Sequence, residues 1–374
     1  MIPTVPARRS VPIVLLVVGF AFSAAAQTQE APVLEPGVAR AEAYGRAAET
    51  LVARIAALAR HTDGAGITEL VIRVLSDPTL APAARERVLY ESAMALAQMD
   101  ASPSTRSLLD TLAARPPEVR VWHDDDAHRV AVPLYDVASA ARYASRRQAE
   151  ERAAAAALAA LATTDEAPLR LYDAQGDPAA PDARGVTQAF ERAPLEQLRP
   201  YRDALATSAA QGARLELAEV VARRLGDAAL MQVVLTEAAP ASALAIVRTA
   251  RTSFPAQDAF DLLAVAARRD DVASAALLEI GRLAYADSRA RDFLFDALGD
   301  AQRAGSAAAA LASTHDERIA ADLRAWVLEQ PDVTLARRGI LALRLDASAS
   351  ARAELSRLAA DPDLAAELRA EALR

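Results

Sequence analysis

The chain of 374 residues contains no cysteine and no lysine, and all 42 of its basic residues are arginine. Without thiols there is no cysteine nucleophile, no CxxC redox pair, no thiolate metal site and no disulfide. In an oxidising compartment such a fold is held by packing alone. Without lysine there is no P-loop phosphate chemistry and no Schiff-base or pyridoxal chemistry. Aromatic residues make up 4% of the chain, too few for a large ring-lined sugar groove. Trp122, Trp326, Tyr285, Phe293 and Phe295 therefore read as core. The net charge of −8 repels nucleic-acid phosphates and anionic membrane surfaces. Neither a GxSxG nucleophile elbow nor an HExxH zinc motif occurs, so the chain reads as a non-enzyme that needs no cofactor.

Long apolar runs are also scarce. The one that stands out is Val11 to Phe22, preceded by Arg8 and Arg9 and followed by Ala24-Ala25-Ala26. A basic start, a short apolar stretch and a small-residue cleavage site make a Sec-type secretory signal, cut after Ala26. The apolar stretch is shorter than the roughly 20 residues a spanning helix requires; an uncleaved N-terminal anchor is the alternative. The residues after Ser10 do not extend a twin-arginine motif. No other segment is apolar enough to span, so no membrane span is expected after cleavage. Arginine in place of lysine, a heavy alanine load and an export signal together point to a periplasmic or secreted protein from a GC-rich bacterium.

The rest reads as short amphipathic helices punctuated about every 15 residues, giving helix pairs about 30 residues long. In the C-terminal half, helix starts are expected after Asp227, Pro240, Pro255, Asp270-Asp271, Ser288, His315, Asp332, Ser348 and Asp361-Pro362. One pair of this size cannot bury its own apolar face, and stacking the next pair completes the core. The expected fold is all-α, an α-solenoid with one small β-hairpin insertion.

DPTLAPAARERVL (Asp77 to Leu89) and DPDLAAELRAEAL (Asp361 to Leu373) share Asp, Pro, Leu, Ala, Arg and Leu at matching offsets, and PDVTLARRGILAL (Pro331 to Leu343) is a looser copy. This pattern resembles the HEAT repeats of bacterial exported proteins, over Gly66 to Arg115 and Asp227 to Arg374. The Trp-Leu-Gly-Tyr-Pro spacing of tetratricopeptide repeats is not found. The resemblance implies that Asp-Pro caps and starts the second helix, that the arginine supports the turn and nearby carbonyls, and that the trailing aliphatics pack inside. It also implies binding to another protein.

Two stretches break the helical pattern. Residues 118–134 switch to period two, with Val119, Val121, Val130, Val132 and Leu134 alternating with polar or small residues, as in a β-hairpin; Pro133 places the second strand at an edge. Asp136 then N-caps a long alanine-rich helix. Residues 163–194 gather Pro168, Pro178, Pro181, Pro194, Gly176 and Gly185, and read as a linker between an N-terminal module (27–162) and a C-terminal HEAT-like solenoid (195–374).

The one stretch that suggests chemistry is VWHDDDAHRV at the hairpin tip. With a turn centred on Asp125-Asp126, His123 would face His128, and Asp124 and Asp126 could add oxygen ligands for zinc or iron. The competing reading is a solvated turn, which aspartates favour for their local backbone hydrogen bonds. Ser313-Thr314-His315-Asp316-Glu317 reads as a capping box, since adjacent residues cannot converge as a catalytic triad. The arginine pairs Arg223-Arg224, Arg268-Arg269 and Arg337-Arg338 are candidate partner contacts, arginine being enriched in interfaces. The functional expectation is an exported, non-enzymatic interaction scaffold or assembly factor with a protein partner in the cell envelope and no nucleic acid. The alternative is a metal-binding protein or hydrolase built on the hairpin. Mass spectrometry of the protein from its native cell should find a mature chain beginning at Gln27; an N-terminus at Met1 would overturn the cleavage.

Overall fold

Buried alanine and leucine, rather than aromatics, fill the interior of this chain. The computed structural model describes residues 31–125, 128–163 and 166–374; the expected signal segment 1–26 and the hairpin residue Asp126 lie outside them. The fold is all-α with one small sheet. The N-terminal part comprises β1 (Val33–Leu34), α1 (Pro36–Ala43), α2 (Arg46–Arg60), α3 (Gly64–Ser76), α4 (Pro82–Leu96) and α5 (Pro103–Ala113). The hairpin of β2 (Arg120–Asp125) and β3 (His128–Pro133) follows, then α6 (Val137–Leu161). Strand β1 adds to the far side of β2 in parallel, giving the order β1-β2-β3, so β3 with its Pro133 is an edge strand as the sequence suggests.

Beyond α6 come α7 (Ala167–Asp173), α8 (Pro181–Arg192), α9 (Leu195–Leu198), a 3₁₀ turn, α10 (Arg202–Ala209), α11 (Leu215–Leu225) and α12 (Ala228–Glu237). The remaining helices are α13 (Pro240–Ser253), α14 (Ala256–Ala266), α15 (Ala273–Gly281), α16 (Ser288–Gly299), α17 (Ala304–Ala312), α18 (Glu317–Glu329), α19 (Val333–Leu345), α20 (Ala349–Ala360) and α21 (Ala366–Ala372). Each packs chiefly on its sequence neighbour and on the helix two places away, as in α13 on α15, α15 on α17, α17 on α19 and α19 on α21. The arrangement is solenoid-like, and one apolar core runs through it from Ala157 to Ala372. A second core fills the N-terminal part from Ala48 to Ala144. Among the described residues no helix is long and apolar enough to cross a membrane.

Local chemistry explains most boundaries. Asp136, Asp227, Asp332 and Ser348 accept backbone N–H groups in the first turns of α6, α12, α19 and α20, satisfying donors that a helix start leaves free. Proline opens α4, α5, α8 and α13, where its missing N–H costs nothing. The Asp-Pro motifs behave differently from expectation. Asp77 and Asp361 end the preceding helices, and each accepts the N–H two residues on to form a tight turn. Leu80 and Leu364 bury into the core, and α4 and α21 begin only at Pro82 and Ala366. Arg85 does support that turn, donating to the carbonyls of Asp77 and Leu80 at 2.8 and 3.0 Å. The cap of α18 is Asp316 itself, which accepts the Arg318 N–H, in place of the expected box from Ser313 or Thr314.

The span 163–194, expected as a linker, holds α7 and α8. Pro168 and Pro181 mark helix starts there, and Val186 and Phe190 are fully buried. The change of core falls instead inside α6. Val137, Ala140, Ala141 and Ala144 enter the N-terminal core, and Ala157 and Leu161 the C-terminal one. Gly185 lets α8 lie directly on α6: a Cβ there would sit 2.3 Å from the Glu150 carbonyl oxygen and 2.6 Å from the Ala153 Cβ. Overpacking of this kind costs about 1–3 kcal/mol. Gly185→Ala should therefore lower the unfolding free energy from urea titration by about that much, with a lower midpoint. Gly305→Ala, where a Cβ would meet nothing within 4 Å, should leave it unchanged or raise it through helix propensity. Equal effects would refute the close crossing.

Candidate interaction surface

The hairpin register differs from the one the metal reading assumed. His123 pairs with Val130, and His128 with Asp125. This pairing differs from the expected one and moves the two histidines from opposite to diagonal. They still share the face that carries Val121 and Val132, and both are exposed, but diagonal positions lie roughly 7–8 Å apart. Asp126 and the Asp124 side chain lie outside what is described. Among the described residues no three His, Asp or Glu side chains are grouped to hold a metal ion.

What distinguishes the hairpin is its base. Arg85 and Arg115 both pair with Glu118, just before β2. The buried Glu86 of α4 accepts the Glu118 N–H through one carboxylate oxygen, while its other oxygen has no partner. Burial pushes the Glu86 carboxyl up to about 7, a nearby Asp136 adds to the rise, and the Val119 amide and Arg115 oppose it. Beside this cluster Arg87 lies 3.8 Å over the Tyr44 ring and donates to Glu49 and to the Ala43 carbonyl. The hairpin is thus clamped to α4 by a buried polar network that no spacing in the sequence revealed.

The arginine pairs divide their work. In each, the first residue is exposed and the second half-buried. Arg224 donates to the Ala193 carbonyl at the end of α8 at 2.9 Å. Arg269 donates to the Leu235, Thr236 and Ala238 carbonyls at the end of α12. Arg338 donates to the Leu298 and Gly299 carbonyls at the end of α16, at 2.7 and 2.8 Å. Each of these guanidinium groups satisfies carbonyls that a helix terminus leaves free and meets the negative end of the helix dipole. They are internal staples between layers rather than free contacts. Of the outer members, Arg223 reaches Glu191 at 3.5 Å, and Arg337 reaches Glu367 and Glu371 at 3.1 Å each. Arg268 stands exposed at the end of α14.

Open grooves lie between successive layers. One, of about 440 Å³, is bordered by Tyr172, Arg214, Glu216, Glu219 and Ser242. Burial raises the carboxyl groups of Glu216 and Glu219 above the usual range, and burial beside Glu216 pushes the Tyr172 phenol up to about 12. Arg214 holds a left-handed backbone (φ 53°) at the head of α11 and is pinned by both Asp173 oxygens. A second groove, of about 460 Å³, runs between α16 and α18 and has Phe295 and Trp326 in its lining. These rings border a surface groove as well as the core, and Tyr285 is 74% exposed, so the all-core reading of the aromatics fails here. In the loop before α18, His315 (φ 50°) meets Asp346 at 2.8 Å, an inter-layer pin 31 residues long in sequence.

Neither a protein-family model nor a curated protein matches the chain.

The Glu86 environment sets a pH dependence. Its folded carboxyl holds a proton more tightly than the unfolded one, so its contribution to stability is present below the ordinary carboxylate range and lost as pH rises towards about 7. Glu86→Gln should therefore stabilise the protein at pH 8 relative to the parent, by about 2 kcal/mol. Each tenfold change in proton affinity is worth ~1.4 kcal/mol, and solvent reaching the cluster screens part of the total. At pH 4 the substitution should change stability little. Thermal unfolding followed by circular dichroism at the two pH values tests this. A constant difference across that range would show that Glu86 does not titrate there.

Proposed function

We propose that the protein is an exported, non-enzymatic scaffold or assembly factor of the cell envelope, built on HEAT-like helix pairs and acting by binding another protein. The observation that carries this reading is the continuous stack from α7 to α21, whose layers leave open grooves lined by ring and carboxylate side chains. Stacked pairs of this kind present an extended surface rather than an enclosed cavity, and such surfaces suit protein partners. The two Asp-Pro segments share one local design, a tight turn at Asp77 or Asp361 followed by a buried leucine, as expected of copies of one repeat unit. The signal segment and the absence of lysine and cysteine fit an exported protein that uses neither thiol nor amine chemistry.

A photo-crosslinking residue placed at Arg223, Arg268 or Tyr285 in the native cell should yield one adduct of common mass from all three positions. Digestion and mass spectrometry would identify the partner. Three unrelated patterns, or none, would overturn the scaffold reading.

A further inference from the structure

We infer that the groove between α16 and α18 docks an arginine- or lysine-bearing segment of the protein partner; this rests on the scaffold reading above. Helix α16 contributes Asp292, Phe295 and Asp296, and α18 contributes Asp322, Ala325, Trp326 and Glu329. These fall at spacings of three, four and seven, which place each set on one helix face. The Phe295 and Trp326 rings lie 6.5 Å apart, inclined at 45°, and rest against the core.

The carboxylates of this groove differ from several in the neighbouring layers. Glu279 is held by Arg251 and Arg282, Glu354 by Arg324 and Arg357, and Asp261 by Arg289. Asp292, Asp296, Asp322 and Glu329 have no arginine partner among the described residues. The one cation in the groove, Arg291, donates to the Ala284 carbonyl at 3.2 Å. Asp292 and Asp296 also stand four residues apart on one helix, where like charges repel. The chain therefore keeps four uncompensated carboxylates around two ring faces.

That combination selects its occupant. Ring faces attract guanidinium and ammonium groups, tryptophan most strongly, and an acidic rim steers cations in and repels anions. An apolar partner helix would strip water from the carboxylates without replacing it. A metal ion is disfavoured because no three of these acids group to hold one among the described residues. A flat cationic side chain on an extended segment satisfies both the rings and the rim.

The test uses the full-length mature protein carrying Trp122→Phe, which leaves Trp326 as the sole tryptophan. A hexa-arginine peptide should change Trp326 fluorescence saturably, and the affinity should fall as salt rises. Asp292→Asn with Asp322→Asn should weaken binding about tenfold. Asp258→Asn with Asp270→Asn, which removes the same charge elsewhere, should not. Trp326→Leu, followed by the anisotropy of a labelled peptide and checked for folding by its melting curve, should weaken binding as well. Equal loss in the two double variants would reduce the effect to general attraction by an acidic chain and overturn the groove. An equal response to spermidine would assign it to a free polyamine, and dimerisation abolished by Asp292→Asn with Asp322→Asn would assign it to a second copy; either overturns the proposal. If the peptide fails while the crosslinks at Arg223, Arg268 and Tyr285 still recover a common partner, the groove assignment falls and the scaffold stands.

Discussion

Small side chains oblige the helices of this protein to lie close together, and much else in the structure follows from that. An alanine offers little apolar area, so a core built on alanine gains its cohesion from dense contact between backbones. Gly185 against Glu150, Gly281 against Ala310 and Gly339 against Val327 are points between helices where even a methyl group would collide. Helix ends brought so near to the next layer would leave carbonyls stripped of water. Arg87, Arg224 and Arg338 answer that need from helices further along the chain, and Arg269 from the turn after α14. The arginine content is in part a structural requirement of an alanine-rich stack.

Those staples also shape the surface. Arginines engaged by carbonyls, by half-buried Glu118 and by buried Glu279 and Glu354 have their charge matched within the fold. The acids they leave behind give the outer face its sign. Layer stacking thus produces two things at once: a continuous interior and a set of open seams bearing negative charge. The seam at Phe295 and Trp326 is one where that charge meets half-buried rings.

The helical architecture is legible in the sequence because it rests on local signals. Proline at a first turn and aspartate at an N-cap act within four residues, and the starts at Asp227, Pro240, Asp332 and Ser348 follow from them directly. Helix α17 gives no such signal, because AGSAAAALA carries no contrast between faces and no proline or serine cap before it. The linker expectation fails since proline signals a helix start as readily as a break. The hairpin is visible from its alternation, but its register is not. A one-residue shift of the turn leaves the alternation unchanged while exchanging every cross-strand partner. The clamp at Glu86, the division of labour within each arginine pair and the acidic seam depend on partners some 30 residues away, which no local pattern encodes.

Helix α6 belongs to two interiors at once, and its 25 residues contain neither proline nor glycine. The relative orientation of the two halves of the molecule is therefore written in the screw of a single rod about 37 Å long. Each residue of that rod advances the direction of its side chains by roughly 100°. Adding or removing one between Gln148, which bonds to the N-terminal part, and Glu150, which meets α8, would swivel the whole array about the N-terminal part. The angular setting of the seams, and with it any partner that must span both halves, is a matter of counting residues along one helix.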